Sequence, residues 1–550
     1  MTWPALFDRR WFALVIVAAW ALAYLPHLGT RDLRLEEGRR ATPAREMLDS
    51  GDFICPTLYG DTYLNKPPLY FWLVAACGAG LGDVTPLATR LPSVLAALGC
   101  ALVALRFAPD ILDRPTRSLA ALFVLSAAAL LDKGTLGEID APLALVVALA
   151  LKIWWDGNRP TGQTFRSWLA VGCLLGIAGL LKGPEGPAIF YLTAIPFLVW
   201  QRRSARLLTV GHGLCLVLSF LPVAAWVAVL MTREAISSPE LIGIWTHQLG
   251  AGSGPGAVLD PDGRTAHAVA HFFAFPLHVL GMFFPGVLWL GFGLRRRWAT
   301  AHGVSEDLRR FLVCGVLGPC LAFYLYPESR PRHVLPAFFP AAVLGAAVVA
   351  GVSRMSAGRG PSRLATGIAL IPLIAGAAGL VLALAAWPDG VPGAAGVFVA
   401  CAAWSWAAVR LTRRTQSSSA LAANIAGGAL SAWFVANAVV FPCRAPQAPT
   451  RVALRDLGGR LPPGEVVYTT RTFPVTGEGY YNLQFHLARR LRAADLPTLR
   501  HAAPCVGVVT PAERAELESE GWVVEEVSRL VARGGAPEVH VIRLGRRPGG

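Results

Sequence analysis

The chain has 550 residues, of which 54% are hydrophobic and only 15% are charged. Soluble globular proteins carry roughly 25% charged residues, so this composition excludes an ordinary soluble protein and indicates one that uses lipid as its main solvent. The net charge of +15 does not predict a nucleic-acid partner, because the basic residues lie in short loops between apolar runs.

Apolar runs near the length needed to cross roughly 30 Å of hydrocarbon recur along the chain. The first follows Met1–Arg10 and is predicted to be a membrane helix rather than a cleavable signal, because no small-residue cleavage site follows it. We predict about thirteen membrane helices, at residues 11–28, 87–108, 118–132, 139–155, 167–181, 186–200, 207–231, 273–294, 311–326, 334–352, 364–387, 393–409 and 420–441.

The distribution of Lys and Arg predicts the orientation of these helices. With Arg9 and Arg10 in the cytoplasm, every other strongly basic short loop falls on the same side. An odd number of helices then places the C-terminus outside. Three predicted outer segments are too long to be simple connections, namely 29–86, 232–272 and 442–550. The expected organisation is a transmembrane domain over 1–441 and an extracytoplasmic domain over 442–550.

The last 109 residues differ in character, because they are charged and their apolar runs are short. The pattern predicts strands at 465–470, 506–510, 522–527 and 539–544, and Thr510 to Glu513 has the capping-box spacing of a helix start. A small α/β domain fits these elements. Cys443 and Cys505 both fall in the predicted outer region, where they could pair or remain free thiols.

The first outer segment contains an unusual group of charges. Residues 31–47 hold four acids and five arginines, and residues 64–72 surround Lys66 with apolar and aromatic side chains. Pro67 and Pro68 suit the first turn of an interfacial helix. Such a group can bind an anionic headgroup and also supply a base. The alternative is a solvated loop of salt bridges.

Other ionisable residues lie at predicted outer helix ends. Glu138 and Asp140 precede a membrane helix, where acids also have a structural role at the positive end of the helix dipole. Lys182 and the segment 329–333 run against the positive-inside bias, and headgroup anchoring is the alternative there. His267 and His271 are four residues apart, but no HExxH motif accompanies them, so no metal site is predicted.

The first outer segment resembles a known family. It reads Glu36-Glu37, Arg45-Glu46-Met47, Ser50-Gly51-Asp52 and Asn65-Lys66-Pro67-Pro68-Leu69-Tyr70-Phe71-Trp72, and Arg90-Leu91-Pro92 continues the pattern. This is similar to the GT-C class of polytopic glycosyltransferases, in particular the lipid A aminoarabinose transferase and protein O-mannosyltransferase family. The resemblance covers about residues 10–350 and extends to Asp140, Lys182-Gly183-Pro184, His247 and Arg332-His333-Val334-Leu335-Pro336.

The resemblance implies an all-α polytopic membrane domain of the GT-C type with thirteen membrane helices and a soluble outer C-terminal domain. It also implies a polyprenyl-phosphate sugar donor and inversion at the anomeric carbon. The expected site residues fall into three groups: catalytic Glu36, Glu37 and Asp140; donor phosphate-binding Arg39, Lys66, Arg330 and Arg332; and substrate-binding Lys182, His247 and Tyr70.

Two positions depart from the family pattern. The leading catalytic Asp of the family is Glu36 here, which moves the carboxylate by one methylene. The glutamate before Lys-Pro-Pro, which with a histidine binds zinc in the aminoarabinose transferase, is Asn65 here. Because Asn is a poor zinc ligand, no metal or other cofactor is predicted, and a divalent ion remains the alternative.

The predicted function is therefore transfer of a sugar from a polyprenyl-phosphate donor to an extracytoplasmic acceptor: a lipid A-like lipid, an envelope glycan or a protein. The predicted location is a bacterial inner membrane, and a monomer is the default. Two other classes share the hydropathy: a lipid or sugar transporter or flippase, which predicts internal repeats or charges deep within helices, and a non-catalytic scaffold with an outer binding domain.

Overall fold

The computed structural model describes residues 7, 11–31, 33–34, 36–58, 60–159, 164–233, 237, 243, 261–295, 305–327, 329–355, 362–415, 418–444, 461, 466–470, 491–530 and 539–545. The chain forms two compact units. One comprises Met1–Leu28, Asn65–Tyr70 and Arg90–Cys443, and the other comprises Gly29–Leu64, Phe71–Thr89 and Arg444–Gly550. Each unit is described below by itself.

Helices dominate the described residues. In chain order they are α1 (Phe12–Tyr24), α2 (Gly38–Ser50), α3 (Leu69–Leu81), α4 (Pro86–Leu105), α5 (Arg114–Ser126), α6 (Ala128–Lys133), α7 (Asp140–Gly157), α8 (Thr164–Lys182), α9 (Glu185–Trp200), α10 (Val210–Thr232), α11 (Pro261–Met282), α12 (Leu290–Leu294), α13 (Glu306–Tyr324), α14 (Phe338–Met355), α15 (Ser362–Ile368), α16 (Ile371–Ala386), α17 (Val391–Thr415), α18 (Ser418–Val435), α19 (Phe441–Arg444), α20 (Leu496–His501) and α21 (Pro511–Ser519). Short 3₁₀ turns cover Ser204–Leu208, Gly286–Trp289, Pro331–Ala337 and Pro388–Gly390, and a π turn covers Ala436–Val440.

The structure confirms a multi-pass membrane architecture. Within the described ranges, seven helical segments are long and apolar enough to span a membrane, and a bent pair raises the number to eight. The seven are Pro86–Leu105, Thr164–Lys182, Val210–Thr232, Pro331–Val352, Leu364–Ala386, Val391–Arg414 and Ser419–Cys443. The other predicted runs also fall on helices, but α1 and α9, for example, have only 13 and 16 residues.

Three predicted membrane helices are not continuous, and one of them, at 364–387, has only a two-residue break between α15 and α16. The run at 118–132 divides at Ala127, whose extended backbone (φ −60°, ψ 124°) ends α5 and begins α6. The run at 273–294 bends by 103° between Ala268–Met282 and Gly286–Leu294. Hydropathy reports where a segment is apolar but not where its backbone leaves the helical region, so it predicted one straight helix in each case.

Close helix packing in the first unit depends on small residues. A Cβ added at Gly172 would lie 2.8 Å from the Cys215 carbonyl oxygen, and one at Gly176 would lie 2.6 Å from that of Leu218. Glycines four residues apart therefore let α8 and α10 approach backbone to backbone, as in small-xxx-small membrane interfaces. This contact holds the helix that ends at Lys182.

In the second unit, α2 begins after Glu37 and ends at Gly51, whose φ of 73° is the left-handed value that glycine adopts at a helix C-terminus. A two-stranded antiparallel ribbon follows, β1 (Thr57–Leu58) and β2 (Asp61–Thr62). Met47, Tyr63 and Phe71 form a buried apolar cluster. As predicted, a helix follows Pro67 and Pro68, which belong to the first unit, with α3 beginning at Leu69.

The second unit also contains a five-stranded sheet in the order β4-β3-β5-β7-β6. Its strands are β3 (Val467–Thr470), β4 (Leu491–Ala494), β5 (Cys505–Val509), β6 (Val524–Leu530) and β7 (Val539–Leu544). The first three are parallel and the last two add antiparallel. Four of these strands overlap the predicted strands, and the predicted capping box at Thr510 and Glu513 is present. The structure places neither Cys443 nor Cys505 in a disulfide.

Candidate functional site

The first unit contains a buried ion pair between two helix ends. Asp140 is the first residue of α7 and Lys182 is the last residue of α8. Lys182 Nζ donates to Asp140 Oδ1 at 2.5 Å, and the two side chains are only 8% and 6% exposed. An acid at a helix N-terminus and a base at a helix C-terminus both suit the helix dipoles, and burial makes their mutual attraction strong.

Further charges surround this pair. Lys182 Nζ also donates to Glu185 Oε1 at 2.8 Å. Arg332, in the 3₁₀ turn Pro331–Ala337, lies within electrostatic range of both Asp140 and Lys182. Lys66 interacts electrostatically with Glu185. The structure thus brings together the predicted residues Asp140, Lys182, Arg332 and Lys66 within one unit.

Glu138 extends the cluster toward α6. Its carboxyl group is 3% exposed, accepts from Lys133 Nζ at 3.2 Å and shares a side-chain hydrogen bond with Asp140. Burial raises the pKa of Glu138 to about 7, the neighbouring Asp140 carboxylate adds to the rise, and Lys133 opposes it. Glu138 therefore exchanges its proton near neutral pH.

Tyr70 is linked to the backbone of Glu138 through Ser93. Its side chain is fully buried, and its hydroxyl pairs with Ser93 Oγ at 3.0 Å. Ser93 Oγ in turn donates to the Glu138 carbonyl oxygen at 2.7 Å. The structure therefore gives the predicted substrate-binding residue Tyr70 a scaffolding contact that fixes the backbone of Glu138.

A cavity of about 570 Å³ adjoins the cluster. Lys133 and Arg332 line it together with Asp132 and His278, and the rest of its wall is apolar: Ala128, Ala129, Ala274, Leu277, Gly281 and Met282. An apolar wall with a few cations at one side suits an amphiphilic anion, whose tail takes the apolar surface and whose headgroup takes the cations.

The acids of the first outer segment lie in the second unit. Glu36 Oε2 accepts from Arg39 Nη1 at 2.8 Å, and Arg40 Nη2 is 3.9 Å away. The Arg39 guanidinium also lies over the Tyr63 ring, 5.7 Å from its centroid. Two guanidinium groups thus face the Glu36 carboxylate, and a carboxylate is the form that can accept a proton.

Glu37 has a different environment from Glu36. Its side chain is fully buried, and Oε2 accepts from the Arg34 backbone N–H at 2.7 Å. It closes the turn that leads into α2. This contact is the kind of local side-chain to backbone bond that stabilises a helix start.

The remaining predicted residues are Arg330 and His247. Arg330 is exposed, and its backbone N–H donates to Nδ1 of His333 at 3.3 Å. His247 lies outside the described residues. The donor set at Asn65 does not fit zinc, because a neutral amide oxygen replaces a carboxylate. Among the described residues, no group of three or more His, Cys, Asp or Glu side chains could hold a metal ion.

The sequence assigned no role to Lys133 or Glu185 and only a structural one to Glu138. Two signals pointed to them. Lys133 is a cation on the predicted outer side, against the positive-inside bias. Glu185 follows Lys182 at the i, i+3 spacing and begins α9. The pairing of Glu138 with Asp140 needed coordinates.

The comparisons with known proteins agree with this architecture. Residues 65–228 match the family model described as dolichyl-phosphate-mannose-protein mannosyltransferase. The solved structure of ArnT from Cupriavidus metallidurans bound to undecaprenyl phosphate superposes with a TM-score of 0.71 over 97% of both chains, at 19% identity. The apo structure of the same protein gives 0.68 at 17% identity over 97% of both chains. The chain therefore shares the fold of ArnT and is similar in sequence to the mannosyltransferase family over residues 65–228.

Several characterised transferases are also similar to this chain in sequence. The undecaprenyl phosphate-α-4-amino-4-deoxy-L-arabinose arabinosyl transferase 1 of Pseudomonas fluorescens is 28% identical over 380 residues, which cover 68% of this chain and 65% of the relative. The corresponding transferase of Erwinia tasmaniensis is 28% identical over 344 residues, or 60% of this chain and 58% of the relative. The matches thus span less than two thirds of the length of these relatives.

Proposed function

We propose that this GT-C chain is a glycosyltransferase that moves a sugar from a polyprenyl-phosphate donor to an extracytoplasmic acceptor, with inversion at the anomeric carbon. The buried Asp140–Lys182 pair is the observation that carries the proposal. It lies within electrostatic range of Arg332, which also lines the cavity. Burying charges this deeply costs stability even when they are paired, so such a pair near a membrane helix end indicates a functional site.

The cavity supports the choice of donor. Its apolar wall along α11 suits an isoprenoid tail, and Lys133 and Arg332 suit the phosphate at the end of that tail. The phosphate is the leaving group, so negative charge grows on it in the transition state. Fixed cations that face it each lower the barrier by roughly 3 kcal/mol. Lys66, Arg39 and Arg330 are further proposed phosphate contacts.

Acceptor activation requires a base, and we assign that role to Glu36. The carboxylate takes the proton from the attacking oxygen of the acceptor as the bond from the anomeric carbon to the phosphate oxygen breaks. Glu37 and Asp140 support the base and orient the sugar, and Lys182, His247 and Tyr70 complete the proposed substrate-binding set. Attack on the face opposite the leaving phosphate inverts the anomeric centre.

The relatives indicate the class of the substrates but not the individual sugar or acceptor. The curated relatives are named for an aminoarabinose carried on undecaprenyl phosphate, which supports a polyprenyl-phosphate sugar here. Asn65 and Glu36 differ from the family residues at those positions, so the sugar itself need not be aminoarabinose. The proposed acceptors are a lipid A-like lipid, an envelope glycan or a protein hydroxyl.

We also propose the finer topology predicted from the sequence. Thirteen segments cross the inner membrane, the N-terminus is cytoplasmic, and residues 442–550 form a small α/β domain outside. The positive-inside distribution supports this orientation. The chain works as a monomer in this proposal, which cross-linking in native membranes tests directly.

One assay separates this function from its alternatives. The full chain, reconstituted in vesicles, receives polyprenyl-phosphate sugar with a radioactive label in the sugar, together with an extract of envelope lipids, glycans and proteins. Label that moves to an acceptor and leaves the carrier supports transfer. Label that crosses the bilayer while still attached to its carrier indicates a flippase. Label that stays in place with the carrier intact indicates a scaffold, and either of these results overturns the proposal.

A further inference from the structure

Glu138 and Asp140 form a pair of acids inside the first unit, and only one member of the pair is stabilised as an anion. Asp140 has Lys182 at 2.5 Å and Arg332 within electrostatic range. Two carboxylates in hydrogen-bond contact cannot both ionise without strong repulsion. Below about pH 7 the proton of the pair resides on Glu138, which donates a hydrogen bond to Asp140 and accepts one from Lys133 Nζ at Oε1.

The surroundings of Glu138 hold it in this position. Ser93 of α4 fixes its carbonyl oxygen, and the side chain is 3% exposed. The charged and titratable groups around the acid pair come from five described elements: Asp132 and Lys133 of α6, Asp140 of α7, Lys182 of α8, Glu185 of α9, and Arg332 and His333 of the 3₁₀ turn. Asp132 lies 3.5 Å from Lys133 and is 52% exposed.

Lys133 connects this acid pair to the cavity. It lines the cavity with Arg332 and at the same time contacts Glu138. While Glu138 is neutral, the charge of Lys133 remains available to an anion in the cavity. Ionised Glu138 would compete with that anion for Lys133, and it would also lose the hydrogen bond that it donates to Asp140.

We propose that protonated Glu138 is a positioning residue of the transferase site, which orients Asp140 through its O–H and leaves Lys133 free to attract the anionic headgroup of the lipid donor. The inference rests on the proposed function. Binding of the donor phosphate at Lys133 and protonation of Glu138 favour each other by linkage. The affinity for the donor therefore depends on pH.

The test compares Glu138→Gln with Glu138→Leu in the full chain, reconstituted in nanodiscs and supplied with labelled polyprenyl-phosphate sugar. Glutamine donates an N–H to Asp140 and never ionises. Leucine has a similar volume and donates no hydrogen bond.

We expect kcat/KM of the wild type to fall about tenfold per pH unit above pH 7, mainly through the donor KM. Glu138→Gln should keep activity within about threefold of wild type at pH 6 and lose this alkaline fall. Glu138→Leu should be at least about tenfold slower at every pH.

Asp156→Asn is the matched control. Asp156 pairs with Lys152 on α7, about 24 Å along the helix from Asp140 at 1.5 Å per residue, so this variant removes a carboxylate outside the cluster. It should reproduce the wild-type pH profile. An unchanged alkaline fall in Glu138→Gln, or wild-type activity in Glu138→Leu, overturns the inference.

Infrared spectroscopy distinguishes failure of this inference from failure of the proposed function. A protonated buried carboxyl gives a C=O band that should titrate near neutral pH in the wild type and in Asp156→Asn, and should be absent from Glu138→Gln. If the wild-type protein shows this band but no transfer activity, the transferase proposal fails and the protonation of Glu138 is still supported. A wild type without the band removes the inference whatever its activity.

Discussion

Lys182 Nζ lies 2.5 Å from Asp140 Oδ1, although 42 residues separate the two along the chain and each side chain is more than nine-tenths buried. The pair joins the C-terminal end of α8 to the N-terminal end of α7. The carboxylate of Glu185 also pairs with the ammonium group of Lys182. One cation therefore compensates two buried acids, and its removal affects both.

Replacing this cation should destabilise the fold. Lys182→Met removes the cation that bonds both Asp140 and Glu185, and breaking a buried pair on one side typically costs about 3–5 kcal/mol. Thermal unfolding in detergent measures the effect. The double variant Lys182→Met with Asp140→Leu should regain part of the loss, because it removes the orphaned charge. A single variant as stable as wild type would show that the pair contributes nothing.

Loss of the proposed base should stop transfer without unfolding the chain. Glu36 is 30% exposed and is held by Arg39, so Glu36→Ala should express normally and lose about 10²–10⁴-fold in kcat. Asp49→Asn, an exposed acid later in α2, is the control and should transfer sugar at the wild-type rate. Normal turnover in Glu36→Ala would remove this residue from the mechanism.

Filling the cavity should weaken donor use. A Cβ at Gly281 meets nothing within 4 Å, and Gly281 lines the cavity, so Gly281→Leu adds apolar volume at the cavity wall with no clash at its Cβ. We expect the donor KM to rise about tenfold, equivalent to about 1.4 kcal/mol of lost binding. Gly213→Leu, at an exposed helical glycine that is equally open, controls for the change in helix propensity. Equal KM values in the two variants would place the donor elsewhere.

The raised pKa of Glu138 predicts the pH dependence of stability. Its pKa is about 7 in the folded chain against 4.5 for an ordinary glutamate. Between these values the folded state binds more protons than the unfolded state, so this residue makes stability fall as pH rises from about 4.5 to 7. The loss is at most about 3 kcal/mol. Denaturation at pH 5 and pH 8 should show a smaller difference for Glu138→Gln than for wild type. Identical differences would mean that Glu138 does not titrate in this range.

Local features of the structure were predictable from the sequence. Hydropathy located the helical segments, because every backbone polar group within lipid must bond internally and only helices of apolar residues achieve this in a short segment. The capping box at Thr510 and the helix after Pro68 followed from side-chain chemistry within four residues. Asp140, Lys182, Arg332 and Lys66 were recognised as unusual because charge at outer helix ends requires a partner or a ligand.

The tertiary structure decided which partners these charges have. Ala127 divides one predicted helix, a 103° bend divides another, and Glu138 meets Asp140 and Lys133 only because α6 and α7 meet at a buried turn. Tyr70, predicted to bind substrate, contacts Ser93, whose hydroxyl donates to the Glu138 carbonyl oxygen, and the sequence did not indicate this contact. Sequence encodes the period and polarity of a segment, which depend on neighbours along the chain. Contacts between residues tens of positions apart depend on helix packing, and so do the proton and the ion pairs that such contacts create.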